Sequence, residues 1–294
     1  MTDVLGLFEG FEERLLERRG IRLRYFAGGT GPPLLLVHGF GGSAWNFSEL
    51  APLLAVGRRL LIPDLPGHGG STALAAAPNL AAYADPLAAL CREEGAVPVD
   101  AVGHSLGGSV AVRLAVRHPG LVGRLVLAAA AGISSGTRVA EAFLTTFGLV
   151  QPGRLAARRP EAVAHSSFLR RLVFPRFSVA DDRALSDRAI LGLLSGPALH
   201  TDVLAAARPL VQEDPRPDLD RLTAPVLCLW GARDEQVPMQ DAFDYARRLR
   251  APLRTIAGCG HLLIAERPDA CAHAIEDFLG RPLPRRAGGR TVAP

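Results

Sequence analysis

The chain has 294 residues, of which 48% are hydrophobic, and a formal net charge of +4 at pH 7. This length and apolar content suffice to bury a substantial core, which excludes a disordered or fibrous chain. No run reaches the roughly 18 apolar residues of a membrane-spanning helix, and the N-terminal residues lack the positive-then-apolar pattern of a secretory signal. We therefore expect a cytoplasmic protein without a membrane span.

The positive charge is concentrated at the C-terminus. Residues 281–294 contain four arginines and no acid, so the rest of the chain is formally neutral. We interpret this segment as a flexible basic tail and expect no nucleic-acid partner. The cysteines show no metal-ligand spacing and are expected to be reduced packing thiols, and we predict neither a metal nor a cofactor. They are Cys91, Cys228, Cys259 and Cys271.

The first predicted elements are two strands, at residues 11–18 and 21–27, joined through Arg19 and Gly20 into an antiparallel hairpin. Apolar strands then alternate with helical patterns. The strands are predicted near 33–37, 59–63, 99–103, 124–130, 225–230 and 253–257, and the helices near 45–54, 80–95, 105–117, 239–250 and 268–279. This order predicts an α/β fold with a mostly parallel central sheet and ligands bound beyond the carboxyl ends of its strands.

One connection is too long to join two neighbouring elements directly. About ninety residues separate Gly132 from Leu222, and their helical patterns are broken repeatedly by proline. We predict that residues 133–221 form a helical cap inserted into a core made of residues 1–132 and 222–280.

Ser105 lies between a predicted strand and a predicted helix, with Gly103 and Gly107 two residues to either side. A sharp strand-to-helix turn requires small residues at those two positions. The start of the helix also supplies N–H groups and the positive end of its dipole, where a negative oxygen could be stabilised. The pattern is typical of a nucleophile elbow.

Two further motifs precede Ser105. Residues 38–43 form a glycine-rich segment after an apolar strand, and residues 64–69 read Asp-Leu-Pro-Gly-His-Gly. In this order the motifs resemble the α/β-hydrolase family, in particular its cap-bearing branch of esterases, lactonases and carbon–carbon hydrolases, over about residues 11–280. The resemblance implies a catalytic triad in the chain order serine, acid, histidine.

The resemblance places the other two triad members at Asp234 and His261, each directly after a predicted strand. It implies that His261 takes the proton of the Ser105 hydroxyl, that Asp234 orients the imidazole, and that the backbone N–H groups of Phe40 and Leu106 form the oxyanion hole.

Other residues compete for two of these roles. Glu235, Asp218 and Asp220 are the competing acids. His38, His68 and His104 lie inside the family's loops and are expected to brace the backbone rather than to transfer protons.

The predicted cap contains several phenylalanines that are candidate walls of an apolar substrate pocket. The alternative is that they only pack the cap on itself. They are Phe143, Phe147, Phe168, Phe174 and Phe177.

These patterns predict a serine hydrolase that acts through an acyl-enzyme on a small, apolar carboxylic ester or lactone. Carbon–carbon cleavage of vinylogous diketones, cofactor-free perhydrolysis and acyl transfer use the same triad and stay open. Haloalkane dehalogenases and epoxide hydrolases are disfavoured because they place an aspartate where this chain has Ser105. A non-catalytic small-molecule receptor on the same fold is the alternative of another class. The sequence carries no indication of the oligomeric state.

Overall fold

The computed structural model describes residues 6–18, 20–73, 78–134, 152–199 and 203–280. Within these ranges the strands are β1 (Phe11–Arg18), β2 (Ile21–Gly28), β3 (Pro33–Val37), β4 (Arg59–Pro63), β5 (Val99–His104), β6 (Val122–Ala128), β7 (Val226–Gly231) and β8 (Leu253–Ile256). They form one sheet in the order β1-β2-β4-β3-β5-β6-β7-β8.

The sheet begins with an antiparallel hairpin and continues as a parallel sheet. β1 pairs with β2 from Phe11 opposite Gly28 to Arg18 opposite Ile21. β2 is antiparallel to β4, and the neighbouring pairs from β4 to β8 are parallel. The predicted α/β class and the hairpin are confirmed.

The parallel strands are apolar because helices cover both faces of the sheet. In β3, the four residues Leu34–Val37 are all 0% exposed. Parallel strands bring their carboxyl ends to one edge of the sheet, so the residues that follow β3, β5, β7 and β8 lie along that edge.

The α-helices of the described residues are α1 (Leu50–Ala55), α2 (Leu80–Glu93), α3 (Leu106–Arg117), α4 (Pro152–Ala156), α5 (Pro160–His165), α6 (Ser167–Val173), α7 (Asp187–Leu199), α8 (Val203–Gln212), α9 (Arg216–Leu219), α10 (Met239–Leu249), α11 (Leu263–Glu266) and α12 (Pro268–Leu279). Short 3-10 helices cover Ala44–Phe47 and Asp182–Ala184.

Two predicted boundaries were wrong. The helix predicted at 45–54 is divided into the 3-10 helix Ala44–Phe47 and α1. The Asn46 side chain accepts from the Ser43 N–H at 3.3 Å and thereby caps the 3-10 helix. The strand predicted at 124–130 ends at Ala128 because Ala129 takes a φ of +47°, which leaves the extended region.

Between β6 and β7, the described part of residues 133–221, hereafter the insert, contains the helices α4 to α9. It has an apolar cluster of its own, which includes Phe174 and Val179 and reaches Ala265 of α11. On α7, a Cβ at Gly196 would lie 2.7 Å from Ser43 Cβ, and one at Gly192 would lie 2.6 Å from Ser48 Oγ. These glycines let α7 pack closely on the segment that follows β3.

The four cysteines are buried and free of disulfide bonds. Burial raises the pKa of the Cys91, Cys228 and Cys259 thiols to about 12, and it raises the pKa of Cys271 as well. No helix among the described residues combines the length and the apolar character needed to cross a membrane. The predicted basic tail lies outside the described residues.

A buried ion pair joins α12 to the amino-terminal ends of two strands. Arg58, which is 1% exposed and precedes β4, donates to Glu276 through Nε and Nη2, each at 3.0 Å. Its Nη1 lies 3.4 Å from Asp100 Oδ2 on β5. Arg124 Nη2 also donates to Asp100 at 2.7 Å, so four charged side chains share one network at the edge of the sheet opposite Ser105.

Replacing Glu276 with alanine leaves Arg58 buried with one carboxylate partner fewer. We expect Glu276→Ala to lower the free energy of unfolding by about 3 kcal/mol, the usual cost of breaking a buried pair from one side. Urea denaturation measures this value. Glu93→Ala, at an exposed position at the end of α2, is the control. Equal midpoints for the two variants would show that the network adds nothing to stability.

Candidate active site

Ser105 joins β5 to α3 in a backbone conformation that residues with a side chain rarely adopt. Its φ is +54° and its ψ is −121°. Backbone hydrogen bonds hold it there: its N–H donates to the Ala128 carbonyl at 3.0 Å, and its carbonyl accepts from Gly108 at 2.9 Å and Ala131 at 3.1 Å. Such a conformation costs of order 1–3 kcal/mol and persists only where its surroundings enforce it.

The glycines around Ser105 are required by close backbone contacts. A Cβ at Gly107 would lie 2.5 Å from the His38 carbonyl and overlap that of Val37, and a Cβ at Gly103 would overlap the Gly107 carbonyl. The turn therefore fits only if these two positions have no side chain, as the sequence predicts.

The segment after β3 lies directly against Ser105. A Cβ at Gly39 would lie 2.9 Å from Ser105 Cβ, and the half-buried Phe40 is the next residue. Leu106 is the first residue of α3, so its N–H has no carbonyl partner within the helix. The fold thus brings together the two segments that carry the predicted oxyanion-hole residues.

Asp234 and His261 are hydrogen-bonded to each other beyond the ends of β7 and β8. Asp234 Oδ2 lies 3.0 Å from His261 Nδ1. Asp234 Oδ1 accepts from the N–H groups of Gln236 at 2.9 Å and Val237 at 2.8 Å. Because Nδ1 donates to the carboxylate, the Nε2 lone pair remains as the basic site of the imidazole. Of the competing acids, Asp218 lies on α9 beside Arg113 and Asp220 lies 3.6 Å from Arg248, while the Glu235 side chain is exposed.

The loop that carries His261 is bonded to the residue before Ser105. His104 Nε2 donates to the His261 carbonyl at 2.9 Å, and the two ring centroids are 5.0 Å apart. This contact fixes the histidine loop next to the elbow. Ser105 and His261 are 5% and 2% exposed, so both lie in a largely enclosed environment.

His38, His68 and His104 hold backbone segments, as predicted. His38 Nε2 accepts from the Leu65 N–H at 2.9 Å and its Nδ1 donates to the Gly39 carbonyl at 2.8 Å. His68 Nδ1 lies 3.1 Å from the Pro66 carbonyl. Burial lowers the pKa of His38 to about 4, and burial followed by the charge of nearby His261 lowers that of His104 to about 3.

The five phenylalanines that were predicted to line the substrate pocket lie in different environments. Phe143 and Phe147 lie outside the described residues. Phe168 is 74% exposed, so its prediction as a wall is corrected: it lies on the face of α6 that points to solvent. Phe174 packs inside the insert's apolar cluster, which is the alternative reading of these residues, and Phe177 is half-buried just before Val179.

Asp64 has a role that sequence reasoning missed. It is 0% exposed and accepts from the N–H groups of Ala44 at 2.8 Å and Gly70 at 2.7 Å and from Arg24 Nε at 2.6 Å. Arg24 in turn lies 4.3 Å over the Trp45 ring. Asp64 thereby holds together the loops after β3 and β4. The sequence marks it as the first residue of the motif at 64–69, but nothing in that motif indicates these partners.

Glu266 was also missed. It is 2% exposed on α11, five residues after His261, and its carboxylate accepts from the Gly260 N–H at 2.8 Å. A carboxylate within an apolar helical turn next to a functional loop is a weak signal for such a contact. Among the described residues, no group of three or more histidine, cysteine or acidic side chains is placed to hold a metal.

Comparison with known proteins gives a consistent family assignment. A sequence profile described as "Alpha/beta hydrolase family" matches residues 34–274. A pimeloyl-[acyl-carrier protein] methyl ester esterase of Aromatoleum aromaticum is 35% identical over 267 residues, which cover 84% of this chain and 98% of that protein. A 2-hydroxymuconate semialdehyde hydrolase of a Pseudomonas species is 30% identical over 276 residues, which cover 88% of this chain and 91% of that protein. The solved structure of a thermophilic esterase from Thermogutta terrifontis has a TM-score of 0.70 at 26% identity, covering 92% of this chain and 98% of that one.

The buried histidines make stability depend on pH. The unfolded chain protonates His38 and His104 near 6.5, whereas the folded chain does so only near pH 4 and pH 3. Between these values the unfolded state binds more protons, so the free energy of unfolding is expected to fall as pH falls from about 6.5 towards 4. Urea denaturation at a series of pH values measures this slope.

Two variants test whether His104 contributes to this pH dependence of stability. His104→Gln keeps a side-chain N–H donor for the His261 carbonyl but does not titrate, and we expect it to lose less stability between pH 7 and pH 4 than the wild type. His273→Gln, at an exposed position on α12, is the control. A pH dependence in His104→Gln equal to that of the wild type would refute the assignment.

Proposed function

The chain belongs to the α/β-hydrolase family, and we propose that it is a serine hydrolase that cleaves a small, apolar carboxylic ester or lactone through an acyl-enzyme on Ser105. The observation that carries this proposal is the 3.0 Å bond between Asp234 and His261, on a loop whose backbone is bonded to the residue before Ser105. Nucleophile, base and acid thus belong to loops at one edge of the sheet.

In the proposed reaction, His261 Nε2 removes the proton of the Ser105 hydroxyl as Oγ attacks the ester carbonyl. The negative oxygen of the tetrahedral intermediate accepts from the N–H groups of Phe40 and Leu106. His261 then protonates the departing alcohol, which leaves an acyl group on Ser105. Water, activated by the same imidazole, hydrolyses this acyl-enzyme and releases the carboxylic acid.

Asp234 supports this sequence in two ways. Its bond to Nδ1 holds the imidazole in the tautomer that leaves Nε2 basic, and its charge stabilises the imidazolium formed in each step. The N–H groups of Gln236 and Val237 hold the carboxylate in its orientation in a buried position. The oxyanion donors act where water is largely excluded, and losing one such donor costs about 3 kcal/mol of barrier in a well-studied protease.

We also propose that the insert forms a cap above Ser105. Support comes from its contacts with two of the loops that surround the nucleophile. α7 packs on the segment that follows Gly39, and Ser178 accepts from the Leu262 N–H at 3.1 Å beside His261. A cap in this place limits the entry of water and shapes the pocket for an apolar acyl group.

Carbon–carbon bond hydrolysis is the second candidate. The 30% identity to a 2-hydroxymuconate semialdehyde hydrolase favours it, since the same serine, histidine and acid could serve that reaction. The residues of the insert, rather than the triad, would then set the substrate.

Replacing the nucleophile tests the mechanism. We expect Ser105→Ala to lower the turnover of nitrophenyl esters by at least about 10³-fold while the unfolding transition stays cooperative, because the covalent route is lost. Mass spectrometry after incubation with a fluorophosphonate is expected to show one adduct, on Ser105, in the wild type.

Ser109→Ala is the matched control for that experiment. Ser109 lies one turn further along α3, is 2% exposed and donates to the Ala131 carbonyl at 2.5 Å, a carbonyl that also accepts from the Tyr245 hydroxyl. This variant is expected to keep both turnover and labelling. Ester turnover of wild-type size in Ser105→Ala, or an adduct on another residue, would refute Ser105 as the nucleophile.

A substrate panel separates the two candidate reactions. With an apolar pocket, kcat/KM on nitrophenyl esters is expected to rise from acetyl to longer acyl chains by about fourfold per methylene group, since each buried methylene contributes about 0.8 kcal/mol. Strict preference for acetyl would contradict the apolar pocket. Faster turnover of vinylogous diketones than of any ester would favour carbon–carbon hydrolysis.

A further inference from the structure

Glu266 is a buried carboxylate that bonds two distant segments of the chain. Its Oε1 accepts from the Gly260 N–H at 2.8 Å, in the loop that carries His261. Its Oε2 accepts from the N–H groups of Ala180 at 2.9 Å and Asp181 at 3.3 Å, in the insert. Each oxygen therefore serves one segment, and the side chain bridges them.

The two segments also touch directly on both sides of His261. On one side, a Cβ at Gly260 would lie 3.0 Å from the Ala180 nitrogen and 3.1 Å from the Ser178 carbonyl oxygen. On the other side, the Leu262 N–H donates to the Ser178 carbonyl at 3.1 Å. Both sequence neighbours of His261 are thus held by the same short stretch of the insert, residues 178–181, which we call the tether segment.

The tether segment reaches the acid loop as well. The Ser178 hydroxyl donates to Gln236 Oε1 at 3.1 Å, and the Gln236 N–H is one of the donors to Asp234. Val179, between these contacts, is 1% exposed in the apolar cluster of the insert. The segment is therefore anchored in the insert while its polar atoms face both loops of the Asp234–His261 pair.

The bridge depends on the two oxygens of a carboxylate. An ionised carboxylate accepts through both oxygens, whereas a carboxamide of the same shape accepts through one and presents N–H donors on the other side. All three partners given above are N–H groups, so a carboxamide would place donors against donors at one of the two segments. Burial raises the pKa of Glu266, while these N–H groups and the nearby Arg267 favour its charged form.

We propose that Glu266 is a positioning residue, whose carboxylate joins the His261 loop to the tether segment and thereby holds the imidazole in place to serve Ser105. This inference rests on the proposed hydrolase function. Glu266 touches neither substrate nor Ser105 in this role; it acts through the backbone on either side of His261. The insert then has a second task besides covering the pocket, since it orients the general base.

The test compares Glu266→Gln and Glu266→Ala with a matched control. Glu276→Gln is that control, because Glu276 is also 2% exposed and follows on the next helix but bonds Arg58 at the opposite edge of the sheet. Hydrogen exchange is measured on peptides that cover 178–182 and 258–264, and kcat and KM are measured on the best nitrophenyl ester, normalised to folded protein.

We expect Glu266→Gln to speed exchange in both peptides and to lower kcat by about tenfold or more with little change in KM, because a small displacement of the base affects the chemical step more than substrate binding. Glu266→Ala is expected to lose at least as much. Glu276→Gln is expected to lower stability while leaving kcat and both peptides unchanged.

The outcomes separate this inference from the proposed function. Unchanged exchange in both peptides, or faster exchange with wild-type kcat, overturns the positioning role. An equal loss of kcat in Glu276→Gln also overturns it, because general loosening would then explain the effect. A wild-type protein that turns over no member of the ester panel refutes the proposed function, while hydrogen exchange, which needs no substrate, still decides whether Glu266 joins the two segments.

Discussion

The left-handed backbone of Ser105 is the constraint on which the rest of the site depends. At a φ of +54° the serine lies in a turn so tight that Gly103 and Gly107 have no space for a side chain, and a Cβ at Gly39 would lie 2.9 Å from Ser105 Cβ. The sheet supplies the rigidity that keeps this conformation, through the bonds of Ser105 to Ala128 and Ala131. α3 begins at Leu106, directly after Ser105, so the positive end of its dipole lies next to this turn.

The other site loops are arranged around that turn by polar contacts between backbone and buried side chains. His38 and Asp64 join the loops after β3 and β4, and His104 joins the elbow to the His261 loop. Each of these buried side chains bonds a main-chain group of a neighbouring loop. The loops thus form one connected layer above the sheet, and the insert contacts that layer at several places.

The sequence was sufficient for the strands and for the glycine-flanked turn at Ser105, because strand periodicity and glycine spacing are local properties. The positions of Asp234 and His261 came from the family resemblance, and the structure brings these two side chains within 3.0 Å of each other. The sequence was not sufficient where distant parts of the chain decide. Phe168 is an apolar residue in a helical pattern, but which face of α6 turns to solvent depends on packing within the insert. Glu266 meets Ala180 across 86 residues, and no spacing rule relates the two. The end of β6 depended on the single dihedral angle of Ala129.

Burial of the cysteines determines how slowly their thiols react with oxidants and alkylating reagents. A thiol whose pKa is about 12 is ionised in only about one molecule in 10⁵ at pH 7, and the reactive form is the thiolate. Modification of Cys91 or Cys228 must therefore wait for the core to open, and its rate reports that opening. The rate of thiol modification on this chain therefore measures unfolding. Inactivation by a thiol reagent would not identify the catalytic group.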